Sequence, residues 1–461
     1  TTGMKNTWKK LLAMTLVVSM TMGMLSVGAW AEGDGTEGEQ TPETYCGKEE
    51  HTHSIENGCY KLICGKEHED TYTIVEDTKV YDEHIHGAGC YATELSCGME
   101  EHTHTNECYI SIQWDEETAT LTIIGSGDVT SAMGQQYKGK VKNVDVDIEG
   151  NIGDGTFGYC GQLEEITIKN ATAIGKAAFR YSNNVKKISL HDVGTVGADA
   201  AHGCKQLTEL TLDNVDTIEA QAFQWCEGLT SIDLSKVGKL ERSAFTYCNG
   251  LTEVTLSNIE LGTNPFYQCA NLEAVTLDNV TFSGVNTFNG CAKLKNVVLK
   301  NMDSVGNDMF INCANVENVT ITDVNSIMPN LFSNKANLKT VTMKNVDTIG
   351  QSAFLRCTAL SDVTLENVMT IGTYAFQYCE ALKSITLNGV DTVDQYAFSK
   401  TGLTEVTLAD IGTIGQYAFW DNMDLKKVNM FNIGTIDQYA FWNCSNLETI
   451  DSLSNVKNRI G

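Results

Sequence analysis

One pattern recurs about every 22 residues over most of this chain, and it limits the fold more than any other feature. From residue 157 onward a phenylalanine returns in register: Phe157, Phe179, Phe223, Phe245, Phe266, Phe288, Phe310, Phe332, Phe354, Phe376, Phe398, Phe419 and Phe441. Ala201 fills the one slot in the series that lacks it, and the spacing shortens twice to 21. Each slot is followed by F-x2-C-x2-L-x2-I-x-L-x-N-V-x2-I with apolar replacements. In one coil these residues are Phe223, Cys226, Leu229, Ile232, Leu234, Val237 and Leu240. Self-similarity at a fixed period of this size means a solenoid of stacked coils.

The spacing inside one unit predicts its shape. Phe, Cys and Leu at i, i+3 and i+6 lie on one side of a helical turn. The Ile and Leu two residues apart point the same way from a strand and send the residue between them to solvent. Asn214, Asn258, Asn279, Asn301, Asn345 and Asn367 follow the strand, where an Asn turns the chain and satisfies local backbone groups. A single coil buries too few apolar side chains to offset the entropy of ordering it, so neighbouring coils must cover its faces. Upstream, Ile110, Ile112 and Trp114 alternate, as do Leu121 and Ile123, which reads as a β-hairpin turning at Asp115 to Thr118.

The repeat is similar to the BspA-like leucine-rich repeats of bacterial surface proteins, whose units read I-x2-x-A-F-x2-C-x2-L-x2-I-x-L. Thr370-Ile371-Gly372-Thr373-Tyr374-Ala375-Phe376-Gln377-Tyr378-Cys379 matches closely, as do Leu382, Ile385 and Leu387. The segment Trp114 to Thr118 with Leu121 to Gly127 resembles the hairpin that often precedes such repeats. The expected fold is a β-rich leucine-rich-repeat solenoid over 151–461, about 14 coils of 22 residues, each with a strand and a short helical turn. A hairpin cap over 110–150 precedes it. The resemblance implies a surface-exposed role in adhesion or ligand binding, without catalysis.

Charge narrows the partners. The formal net charge is −27, from 59 acidic and 32 basic residues, which argues against nucleic acid and anionic lipid because no basic surface would displace phosphate counterions. Lys5, Lys9 and Lys10 precede an apolar run from Leu11 to Val27 and then Ala29-Trp30-Ala31, which predicts a cleaved signal peptide over 4–31. Beyond it no run is long enough for a membrane span. The expected location is secreted or cell-surface, with an acidic linker over 32–45.

Residues 46–109 form a separate Cys/His-rich module. Cys46-x4-His51-x-His53-x5-Cys59 and Cys97-x4-His102-x-His104-x3-Cys108 share one order, and Cys64, His68, His84, His86 and Cys90 make a third, interrupted unit. Two thiols and two imidazoles per unit suffice for a tetrahedral structural zinc. An exported chain equally permits disulfides Cys46–Cys59, Cys64–Cys90 and Cys97–Cys108. Both readings stand.

Ten more cysteines sit three residues after the repeat slot, from Cys160 to Cys444. These read as small buried thiols filling a turn. Tyr374, Tyr396, Tyr417 and Tyr439 share the slot two before Phe in four consecutive coils, with Trp420, Trp442 and Tyr378 close in register. An aromatic stripe of this kind is a candidate binding surface for a sugar or a proline-rich peptide, and equally a Tyr ladder bracing that end of the stack. Beyond Cys108 only His191 and His202 remain, with no nucleophile elbow, P-loop or zinc-protease motif. The sequence points to non-catalytic binding of an extracellular protein or glycan. A scaffold or spacer without ligand is the alternative, and a metal-binding surface protein a third reading.

Overall fold

A computed structural model describes residues 110–453 except 307, together with the backbone of four short strands upstream. Of those four, Lys61–Leu62 pairs antiparallel with Tyr91–Ala92, and Tyr72–Val75 with Thr78–Tyr81. The expected signal segment, the linker, and the candidate metal ligands Cys46, His51, His53, Cys59, Cys97, His102, His104 and Cys108 lie outside the described residues.

Strands Ile110–Asp115 and Thr120–Ser126 form the antiparallel hairpin, with Trp114 opposite Leu121. The Asp115 carboxylate accepts from the Glu117 amide and the Thr118 hydroxyl, each at 2.8 Å, and these bonds lower its pKa. From there the pairing switches to parallel, as Thr120–Ser126 lies along Asn143–Glu149. Every later coil then stacks parallel on the one before. The register advances by 22 where Lys187 faces Glu209, and by 21 where Glu253 faces Ala274 and Ser384 faces Glu405. Two eleven-stranded sheets result. Among the described residues the α-helical content is one short helix, Ser131–Gln135.

The long strands, such as Glu209–Ile218, bend in the middle at an Asn or Asp with positive φ: 60° at Asn214, 53° at Asn345 and 50° at Asn432. Asn tolerates this left-handed conformation better than most residues. Its amide also ties the coils together, since Asn214 donates to Asp192, Asn345 to Asp323 and Asn432 to Asp410, each at 2.7 Å.

The apolar residues of the repeat face inward as their spacing predicts: Ile188, Leu190, Val193 and Val196 in one coil are each 1 % exposed. The phenylalanines form a stack with ring centroids 5.0–5.9 Å apart and planes within 2–17° of parallel. It is interrupted at buried Ala201. The short helical turn of each coil is realised as successive three-residue turns rather than a helix. Arg180 N–H bonds Ala177 and Ser182 N–H bonds Phe179, both at 3.1 Å, while left-handed Ala177 and Tyr181 stop propagation.

The ten cysteines of the solenoid are free thiols, nine buried and Cys444 partly so. Beyond filling space, nine of them donate to the repeat-slot carbonyl of the preceding coil, for example Cys204 to Phe179 at 3.3 Å and Cys357 to Phe332 at 3.2 Å.

Candidate functional site: an aromatic edge on the last coils

The residues two before and two after each Phe slot share one backbone property. Where they are not glycine, their φ lies between 53° and 64°. Gly, Asn and Asp are the ordinary occupants of such positions, and Gly155, Asn264, Asn286, Asp308 and Asn330 follow that rule. A larger side chain costs about 1–2 kcal/mol there, through the clash of Cβ with the backbone carbonyl. Ala177, Gln221, Ser243 and Ser352 depart from it with smaller side chains, and Tyr374 (φ 59°), Tyr396 (56°), Tyr417 (59°) and Tyr439 (61°) do so with large rings in four successive coils.

The register brings these four rings together. Tyr374–Tyr396, Tyr396–Tyr417 and Tyr417–Tyr439 stack with centroids 5.2, 5.0 and 5.4 Å apart and planes 10–15° from parallel. Trp420 meets Tyr396 and Tyr417 edge-on, and Trp442 tilts against Tyr417 and Tyr439. All six predicted aromatic residues therefore form one cluster. Ring faces inside the row are occupied by neighbouring rings, so Tyr396 and Tyr417 present edges and hydroxyls outward. Desolvation first, then the phenols on either side, raise the pKa of Tyr396. The row opens at its end, where Tyr439 is 49 % and Trp442 56 % exposed.

Tyr378 stands apart from the Tyr row and contacts cations instead. The Arg356 guanidinium lies 5.3 Å and the Lys400 ammonium 5.4 Å from its ring centre. Lys400 also lies 4.7 Å from the Trp420 ring and 3.7 Å from Asp421, linking the aromatic cluster to a recess lined by Tyr378, Glu380, Lys400, Thr401, Asp421, Met423 and Asp424. Sequence reasoning missed this recess. Its signal was a shortened turn: Cys379-Glu380-Ala381-Leu382 in one coil becomes Thr401-Gly402-Leu403 in the next.

Around the gap in the Phe stack, the Tyr181 hydroxyl lies 3.3 Å from His202 Nε2, and His202 Nδ1 lies 3.2 Å from an Asp199 carboxylate oxygen. Burial, then the Arg180 charge, lower the His202 pKa. His191 is on the strand face, 3.3 Å from Asp213. Among the described residues no three His, Cys, Asp or Glu side chains gather as a metal site, and no helix is long and apolar enough to cross a membrane.

Models of the BspA type leucine-rich repeat region match residues 150–273, 259–383 and 347–459, in six copies. No curated protein matches the chain. Similar solved structures include a leucine-rich cell surface protein from Faecalibacterium prausnitzii, 21% identical, covering 75% of this chain and 93% of that one with a TM-score of 0.31. A leucine-rich repeat protein from Bacteroides ovatus is 19% identical, covering 75% and 98%, with a TM-score of 0.36. One from Eubacterium ventriosum is 18% identical over 72% and 92%, with a TM-score of 0.29. With family models spanning residues 150–459 and a parallel solenoid whose core is built from the repeat residues, the chain belongs to the BspA-type leucine-rich-repeat family.

Proposed function

We propose that this is a secreted or cell-surface protein that binds an extracellular protein or glycan, without catalysis, through the aromatic edge of its last four coils. One observation carries the reading. Four consecutive tyrosines occupy left-handed backbone positions that favour Gly or Asn, and they end on the exposed faces of Tyr439 and Trp442. The strain alone does not mark the patch, since Ala177, Gln221, Ser243 and Ser352 accept the same conformation in other coils; the run of large aromatic rings in one slot, ending on exposed faces, supports a recognition surface there. Exposed aromatics with polar tips, beside cations and carboxylates, have the composition of a recognition surface.

The experiment is binding of the full chain to immobilised extracellular-matrix proteins, mucins and glycans, with a Tyr439→Ser/Trp442→Ser variant alongside. Saturable, selective binding that the variant loses supports the reading. Silence across the panel from a folded sample puts the scaffold reading first.

That second reading has its own observation. The rings of Tyr374, Tyr396, Tyr417 and Tyr439 stack on one another, as a ladder bracing the coils would. Stability measurements on Tyr396, described below, separate the two.

A further inference from the structure

The spacing between Phe slots shortens to 21 at two places, and the missing residue falls differently in each. Between Phe245 and Phe266 the turn Cys248-x2-Leu251 keeps its length, and the loss lies beyond the strand. Between Phe398 and Phe419 the loss is in the turn itself, Thr401-Gly402-Leu403. The chain there cuts across the corner. Gly402 passes so close to its neighbour that a Cβ would collide with the Glu380 carbonyl oxygen. A turn that stands proud in the coils on either side is absent, which leaves a notch of about 260 Å³ between them.

The notch is held open by buried chemistry. Asn422 takes the slot that Cys occupies in most coils and is fully buried. Its oxygen accepts from the Thr401 amide at 2.8 Å and the Thr401 hydroxyl at 2.6 Å. Its amide donates to the carbonyls of Phe398 and Phe419, both at 2.8 Å. A buried polar group left unpaired is costly, and here one side chain pairs the backbone that the shortened turn strands. The floor is therefore fixed before any ligand arrives, the preorganisation that favours binding.

Carboxylates outnumber the cations in the lining. Glu380, Asp421 and Asp424 place three carboxylates around the notch; Lys400 pairs with Asp421, and Lys383 Nζ reaches the Gly402 corner, 2.7 Å from where a Cβ there would stand. Neither Glu380 nor Asp424 forms an ion pair among the described residues. Met423, 48 % exposed, supplies an apolar wall, and Tyr378 a ring that already faces two cations. The volume is below the ~300–1,000 Å³ of pockets for drug-sized ligands, and suits one side chain of a larger partner. A guanidinium fits these walls better than an ammonium, since it is planar, pairs with carboxylates through two donors and packs flat on apolar and aromatic surfaces.

We propose that this notch is the anchor point for an arginine side chain of a cationic protein segment. This rests on the binding reading above and names its partner's chemistry. The net charge of −27 draws a cationic segment to the chain at long range, and the notch selects arginine at contact.

The test uses surface plasmon resonance with the full chain and three synthetic peptides of equal length, alternating glycine with arginine, lysine or glutamate. The arginine peptide is expected to bind saturably and more tightly than the lysine peptide, and the glutamate peptide not at all. Glu380→Gln combined with Asp424→Asn is expected to weaken the arginine peptide at least tenfold without moving the melting temperature. Insertion of one alanine between Thr401 and Gly402 restores the common turn length and is expected to do the same by filling the notch. If the insertion disturbs folding, the charge variant decides alone. Equal binding of the arginine peptide to wild type and charge variant would overturn the proposal, as generic attraction to an acidic chain. So would the absence of saturable binding. A chain that ignores these peptides but binds a matrix protein or glycan through Tyr439 and Trp442 loses this inference and keeps the broader function. A chain that binds nothing loses both.

Discussion

Lys335 donates its buried ammonium to the carbonyl oxygen of Phe310, 2.7 Å away, in the slot where most coils place a thiol. The same slot holds Ser182, which donates to Phe157 at 2.9 Å, and Asn422, which donates to Phe398 at 2.8 Å. The shared property is a donor for the carbonyl of the Phe slot one coil back, which faces the core where water cannot reach; Thr401, the fourth interruption, donates to Phe398 of its own coil instead. Cysteine is the commonest answer. The interruptions of the cysteine series at these three positions are therefore substitutions of one donor for another.

Replacing Cys226 tests that rule. Its thiol donates to the Ala201 carbonyl at 3.4 Å. Cys226→Ser should keep the donor, while Cys226→Ala should leave the carbonyl with only the Cys204 amide, 3.2 Å away, and cost about 1 kcal/mol. Denaturant midpoints of the two variants give the comparison, and equal midpoints would reduce the thiol to a space filler.

Alkaline pH should unfold the chain through the same residues. Burial pushes the Cys204, Cys269 and Cys357 thiols up to about 12 from an ordinary 9.0. A folded pKa above the unfolded one means stability fully present below pH 9 and lost as pH rises towards 12. Lys335 works oppositely: burial lowers its pKa, so the cost of its charge is present at low pH and is relieved as pH rises from that lowered pKa towards 10.5. Denaturant midpoints between pH 8 and 11 should fall, and a thiol reagent should label these cysteines only after unfolding. Rapid labelling at pH 8 in the native state would contradict the burial argument.

The aromatic core should tolerate little loss in the middle of the stack. Phe376 contacts Phe354 and Phe398 at 5.1 Å on each side. Phe376→Ala should cost about 3–5 kcal/mol through the cavity left behind. A calorimetric melt measures this directly.

Tyr396 separates strain from scaffold. Tyr396→Asn loses three ring contacts, to Tyr374, Tyr417 and Trp420, worth about 0.5–1.5 kcal/mol each, and regains about 1–2 kcal/mol of backbone strain. A melting temperature within a few degrees of wild type is expected. A large fall would make the Tyr row structural and weaken the binding reading.

Much of this was legible from residue order. A period of 22 places Phe376 over Phe354 and Cys379 over Cys357 whatever the details of the coil, so the buried rows, the stack and the parallel sheets follow from it. The Tyr stripe was legible as a register for the same reason. Its ring orientations were not, since whether two rings meet face or edge depends on side-chain torsions set by the coils on either side. Left-handed backbone at Tyr, Lys and Arg contradicts local preference, and no reading of single residues would place Lys400 or Arg356 there.

Spacing and side-chain type by themselves determined the solenoid, its core and the coils where aromatics gather, because hydrophobic burial in a stack is periodic and local. The donor role of Cys226, the four bonds of Asn422 and the acidic notch beside Thr401 were decided only in three dimensions. They depend on groups 21 to 25 residues apart meeting across coils, with the one Asn422 bond to Phe419 made within its own turn, and on backbone atoms that carry no signature in the sequence.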